Sequence, residues 1–165
     1  MKNNNIDNDN ANKNKIFDNK NYKKEINLIY VAKDRGTETI FGNNFVEKNK
    51  NNIELIINGK DNPLTEDYIL NKGENKIKMI IKNKLTNLSY MFYNCETLKN
   101  IEELKYLDIG EINDLSYMFS NCISLSDITA LQNWNVSNCQ NFSSMFFGVQ
   151  LSDITPLKNW NVSNG

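Results

Sequence analysis

The chain contains no histidine. The side chain that most often serves as general base and metal ligand near neutral pH is therefore missing. It also has no Walker loop, no Gly-x-Gly-x-x-Gly and no Gly-x-Ser-x-Gly. The phosphate cradle, the dinucleotide turn and the nucleophile elbow are thus absent, and no pair of carboxylates stands out for acid–base work. The expectation is a protein without catalytic residues and without a cofactor.

Cysteine is scarce, with Cys95, Cys122 and Cys139 only. An odd number without a secretory signal argues against a disulfide framework. With no Cys-x-x-Cys pair, a structural zinc site is not expected. No apolar run approaches the ~18 residues of a membrane helix. The N-terminus shows no apolar signal region, and neither a myristoylation glycine nor a prenylation cysteine occurs. We expect no direct membrane insertion. Dense Lys/Arg stripes are lacking too. Residues 1–25 and 26–84 each carry net +2, whereas 85–165 carry three Lys and eight acids, net −5. Nucleic acid is therefore not an expected partner.

What the chain has in excess is asparagine, about one residue in five. Residues 1–24 are rich in Asn, Lys and Asp and poor in apolar side chains, which predicts a disordered tail. Residues 25–84 predict a small mixed β domain. The run 26–32 (INLIYVA) reads as a strand closed by the turn 33–36 (KDRG). The stretch 37–48 reads as a turn and a short helix. Ile53–Ile57 is a second strand, followed by the hairpin signal Asn58–Gly59. Residues 60–63 read either as the next strand or as a loop. The runs 68–70 and 76–81 flank 71–74 and read as a hairpin.

From Asn87 the chain repeats itself. The copies are NLSYMFYNCETLKNIEELKYLDIGEI, then DLSYMFSNCISLSDITALQNWNVSNC from Asp114, then NFSSMFFGVQLSDITPLKNWNVSNG from Asn141. Leu88, Leu115 and Phe142 align, as do Met91, Met118 and Met145, and Phe92, Phe119 and Phe146. Cys95, Cys122 and Val149 share one position, Leu107, Trp134 and Trp160 another. Nine apolar positions recur in register. A unit of 26–27 residues that cannot close a core alone predicts a solenoid of stacked copies. In it the Leu-x-x-Ile step, as at 125–128, is the short strand, and the Ser-Tyr-Met-Phe step is a helical or 3₁₀ turn. The Trp134 and Trp160 steps form a second extended edge, with Asn and Ser at the corners. The expected fold class is a β-rich α+β protein: a leucine-rich-repeat-like solenoid over 85–165, a mixed β domain over 25–84 and a disordered tail.

NLSYMFYNC, DLSYMFSNC and LSDITALQNWNVSN resemble the BspA-like leucine-rich-repeat surface proteins. The resemblance covers 85–165, about half the chain. It implies adhesion or protein–protein contact, placement at the cell surface, and no enzyme activity. Val149 departs from the Cys of the pattern and Leu107 from its Trp. The array reaches Gly165 without a recognisable cap. A bare solenoid end exposes core residues and strand edges, so a truncated array, end-to-end self-association or a covering partner is expected.

The recurring residues are read as packing. Cys95, Cys122 and Val149 form a ladder rather than a disulfide, since Val does no sulfur chemistry. Trp134 and Trp160 are read as buried more than as exposed anchors. Asp127 and Asp153 share a position, but two carboxylates make a poor calcium site. The Asn-x-Ser sequons at Asn87, Asn135, Asn141 and Asn161 follow from the Asn-rich repeat. Recognition is therefore expected from variable positions flanking the Leu-x-x-Ile step: Lys99, Glu102 and Glu103 in the first copy, Asp127 and Thr129 in the second, Asp153 and Thr155 in the third. The function expected is protein binding, with the partner unidentified. The alternative is a structural or adhesive segment of a cell-surface protein.

Overall fold

A computed structural model describes residues 23–165. The tail expected over 1–24 lies outside the described residues, except for Lys23 and Lys24. Strand β1 (Lys24–Ala32) begins at the second of these.

Residues of β1 alternate strictly in burial: Ile26, Leu28, Tyr30 and Ala32 are inside. Strands β3 (Ile53–Ile57) and β6 (Gly73–Ile81) do the same. This period of two buries one face of a sheet, and the other face carries Lys, Glu and Asn together with Ile29, Val31, Ile56 and Ile80. The sheet has five strands in the order β4-β3-β6-β1-β7, where β4 is Lys60–Pro63 and β7 is Leu98–Asn100. All its named pairings are antiparallel. Leu28 lies opposite Ile77, and Leu55 opposite Met79, so the buried face is continuous across strands. The β3–β4 turn has φ 52° at Asn58 and 75° at Gly59, the left-handed pair that a two-residue hairpin needs.

Of the two readings open for 60–63, the structure takes the strand: these residues form the edge strand β4, and Pro63 is tolerated there because an edge has a side without partners. One local expectation is corrected. The runs 68–70 and 76–81 do not pair with each other. β5 (Asp67–Leu70) pairs with β2 (Gly36–Thr39) in a separate two-stranded sheet, and β6 pairs with β1 and β3. The side chain of Asn75 accepts from the Asn71 N–H and donates to the Asn71 and Gly73 carbonyls. That knot redirects the chain instead of closing a hairpin.

The expected leucine-rich-repeat solenoid is not formed. The regular structure among the described residues is mostly antiparallel sheet, with one α-helix, α1 (Asn43–Asn49), and three short 3₁₀ helices. A solenoid of that kind needs an extended strand at the Leu-x-x-Ile step of each copy. Only the first copy has one, β7, and it pairs antiparallel with β1, Tyr30 opposite Leu98. In the second copy the Leu125 N–H donates to the Cys122 carbonyl 3.1 Å away. Asp127 and Asp153 then cap 3₁₀ turns at Thr129–Leu131 and Thr155–Leu157. The first copy makes the same bonds, from the Leu98 N–H to the Cys95 carbonyl and from the Glu102 N–H to Asn100 Oδ1, but it alone pairs as a strand with β1.

The copies instead meet through consecutive turns. The N–H groups of Leu88, Tyr90, Phe92 and Asn94 donate to Asp114, Ser116, Met118 and Ser120 carbonyls at 2.9–3.0 Å. The intervening Met91, Tyr93 and Cys95 N–H groups bond back three residues. Positive φ recurs every four residues along this segment, at Tyr90 and Asn94, at Tyr117 and Asn121, and at Ser144 and Gly148. Asn and Gly are the residues that accept this conformation at least cost.

Each copy also contains three Asx turns, in which an Asn or Asp Oδ1 accepts the N–H two residues on. They start at Asn87, Asn100 and Asp108, at Asp114, Asp127 and Asn135, and at Asn141, Asp153 and Asn161. All four Asn-x-Ser sequons are such turns. The asparagine of the repeat is therefore structural.

The repeat half and the sheet share one apolar core that runs from Ile26 to Met145. Phe92, Phe119 and Phe146 stack at 5.5 and 5.6 Å, and Phe41 continues the stack at 5.6 Å from Phe92. The Gly42 N–H donates to the Met91 carbonyl at 3.1 Å. A Cβ at Gly42 would meet the Tyr90 carbonyl oxygen, so this junction requires glycine.

Candidate interaction surface

The structure gathers part of the expected contact set. Lys99, Glu102, Lys105, Asp127, Thr129 and Ala130 line a depression of about 300 Å³ between the first two copies. Lys99 leaves β7 and its Nζ donates to the Ser124 carbonyl at 3.2 Å. Glu102 opens the 3₁₀ turn Glu102–Tyr106 and pairs with Lys105 at 2.9 Å, within that turn. Asp127 accepts the Thr129 N–H at 2.8 Å. That backbone bond, more than its bond to the Thr129 hydroxyl, holds the Asp127 carboxyl below its ordinary range. The depression thus offers the turn-fixed Asp127 carboxylate, Lys99, the Glu102–Lys105 pair and the Ala130 methyl.

Glu103 lies elsewhere. Its carboxylate accepts the Asn27 N–H at 2.6 Å and the Asn27 Nδ2 at 2.8 and 2.9 Å. It fastens the first copy to β1 and is spent on that contact. Asp153 and Thr155 repeat the Asp127–Thr129 turn, with the N–H at 2.8 Å, outside the depression. The backbone bond from Thr155 lowers the Asp153 carboxyl as well.

The other candidate chemistry is buried or already engaged. Cys95, Cys122 and Cys139 are free thiols in the interior. Burial pushes the Cys122 thiol up to about 12, and it raises Cys95 and Cys139 as well. Thiols held protonated in this way are poor nucleophiles. Among the described residues no group of three or more His, Cys, Asp or Glu is placed to hold a metal ion.

Residues 70–165 match the family described as Mycoplasma protein of unknown function, DUF285. The chain belongs to this family. The DUF285 match covers more than half of the chain, and it takes in β6 and β7 together with all three copies. The family region therefore spans both a central strand of the sheet and the repeat that packs on it. No curated protein and no solved structure matches the chain. Among the described residues, no helix is long and apolar enough to cross a membrane.

One surface feature was missed in the sequence. Tyr90 and Tyr117 occupy the same position of successive copies, and Tyr93 follows three residues after the first. The 27-residue spacing of the two tyrosines is the signal for it in the sequence.

Proposed function

We propose that this DUF285 chain is a non-catalytic protein-binding module whose contact surface is the depression around Lys99, Glu102 and Asp127. One observation carries the reading: the apolar residues that recur in the first two copies are buried, whereas Lys99, Glu102 and Thr129, which vary, are exposed and line one shallow site. At the position of Lys99 the later copies carry Ser126 and Ser152, and at that of Glu102 they carry Thr129 and Thr155. A site of mixed charge with a small apolar floor suits a protein surface better than a small substrate.

The test is capture of a partner by the full chain, compared with a Lys99→Glu, Lys105→Glu double variant. Neither lysine takes part in the apolar core, so the fold is expected to persist. The reading predicts that the variant loses the partner while its melting curve stays close to that of the parent chain. An undiminished yield of the same partner from the variant would remove the depression from the contact.

A second reading is a structural or adhesive segment of a cell-surface protein, which is what the BspA-like resemblance implies. The observation that favours it is the regularity of the ladder, in which hydrogen bonds and stacked rings repeat from copy to copy with little variation.

A further inference from the structure

Three tyrosines beside α1 are not part of the repeat core. The rings of Tyr90 and Tyr117 stack at 12° with centroids 4.8 Å apart. Tyr93 stands edge-on to both, at 5.3 and 6.3 Å. All three are half-buried. Tyr90 and Tyr93, with Thr39, Asn43, Glu66 and Asn94, line a cleft of about 240 Å³.

The charge in this cleft has one sign. Its lining contains the Glu66 carboxylate and no basic residue. Glu66 accepts from Asn43 Nδ2 at 2.8 Å, and no ion pair to it occurs among the described residues. The Asp114 carboxylate also acts on Tyr90. Partial burial first, then Tyr117, Tyr93 and Asp114, raise the Tyr90 phenol from its ordinary value. The Tyr90 phenol is therefore held protonated, beside the Glu66 carboxylate that lines the same cleft.

We propose that this cleft binds a lysine or arginine side chain from a peptide segment of a protein partner. A cation seated there would face the Tyr90 and Tyr93 rings, whose faces are electron-rich, with Glu66 as counter-charge. The chain uses the same chemistry internally, where the Lys105 and Lys24 ammonium groups lie 5.1 and 5.4 Å from the Tyr106 ring centroid. The net −5 of residues 85–165 draws a basic segment toward this half of the molecule. The inference rests on the protein-binding reading but places a second site on different residues, so the two fail separately.

The experiment is an NMR titration of the full ¹⁵N-labelled chain with a hexalysine peptide at low salt, and with hexaglutamate as the opposite-charge probe. The expected result is a saturable shift of the Asn43, Glu66, Tyr90, Tyr93 and Asn94 amides with hexalysine alone. Glu66→Gln and Tyr90→Asn each weaken binding by about two- to fivefold, the range of an exposed cation–π contact. Asn accepts the φ of 60° at this position, which protects the fold. Tyr90→Phe keeps the ring face and binds as the parent does, and Glu47→Gln on the exposed side of α1 changes nothing. Equal weakening by Glu47→Gln and Glu66→Gln, shifts scattered over the acidic half, or no saturable shift would each overturn the proposal.

Discussion

Trp134 donates its indole N–H to the carbonyl of Leu104, 3.0 Å away in the preceding copy. Trp160 makes the same bond to Leu131 at 3.0 Å, and the two indoles stack at 6.4 Å. This bond runs backward along the repeat, whereas the backbone ladder donates forward. The pair therefore clamps each copy from both sides. It also accounts for Leu107 at the equivalent position of the first copy. No copy precedes it to accept a bond, so an apolar side chain suffices.

Replacing Trp134 by Phe removes one hydrogen bond and some ring volume. The Leu104 carbonyl still accepts the Leu107 N–H at 3.0 Å, so it is not orphaned. A loss of about 1–3 kcal/mol is expected. Trp160→Phe, at a half-buried position, should cost less. Urea denaturation of both variants checks the order.

Glu103→Ala should cost about 1.5–3 kcal/mol, the range for hydrogen bonds to a charged group. It would leave the Asn27 N–H without its carboxylate acceptor. Hydrogen exchange at Asn27 should accelerate, while exchange at Leu28 and Tyr30, inside the β1–β6 ladder, should change little. A uniform acceleration across β1 would show that Glu103 supports the whole strand instead.

The Asx turns predict acid sensitivity. Asp127 and Asp153 are held below their ordinary value of 3.8 by the N–H groups of Thr129 and Thr155. Their contribution is complete above that pH and is lost as the pH falls through the lower folded values. Asp127→Asn keeps an Oδ1 acceptor, as Asn100 does in the first copy. The variant should lose less stability on acidification than the parent. Denaturation midpoints between about pH 2 and about pH 6 measure the difference.

The thiols should be silent in the folded protein. All three are buried, and the Cys122 thiol also donates to the Phe92 carbonyl at 3.0 Å. An aromatic disulfide reagent should find no reactive thiol under native conditions and three in denaturant. Cys122→Val should cost less than about 1.5 kcal/mol as a nearly volume-conserving change, since Val149 fills this position in the third copy. Cys122→Ser should cost more, because it places a hydroxyl in an apolar interior.

The sheet was readable because burial on one face imposes a period of two. The strands at 26–32 and 53–57 and the Asn58–Gly59 hairpin followed from that pattern and from left-handed turn chemistry. Strand partners were not readable in the same way. The sequence neighbours β5 and β6 looked like a hairpin, yet Asn75 ties the connection into a turn that separates them. The repeat register was also visible, and its recurring apolar residues are inside in the first two copies, while Ile154 and Val162 of the third are exposed. The path of the backbone between them was not. Leucine spacing is compatible with a strand or with a chain of turns; Asn100, Asp127 and Asp153 make the same Asx turn, and only the first copy pairs with β1 as a strand. At the surface, alignment placed Glu103 beside Glu102. Its role depends on Asn27, 76 residues away, which no local pattern reports.

Site-specific photo-crosslinking tests the binding account most directly. A benzoylphenylalanine placed at Glu102 or at Thr129, both exposed at the depression, is compared with one at Glu47 on α1. The full chain is irradiated in an extract of its own source cells. The account predicts that both depression positions give the same covalent partner, absent from the Glu47 sample and diminished by the Lys99→Glu, Lys105→Glu change. Adducts no different from those at Glu47 would contradict it.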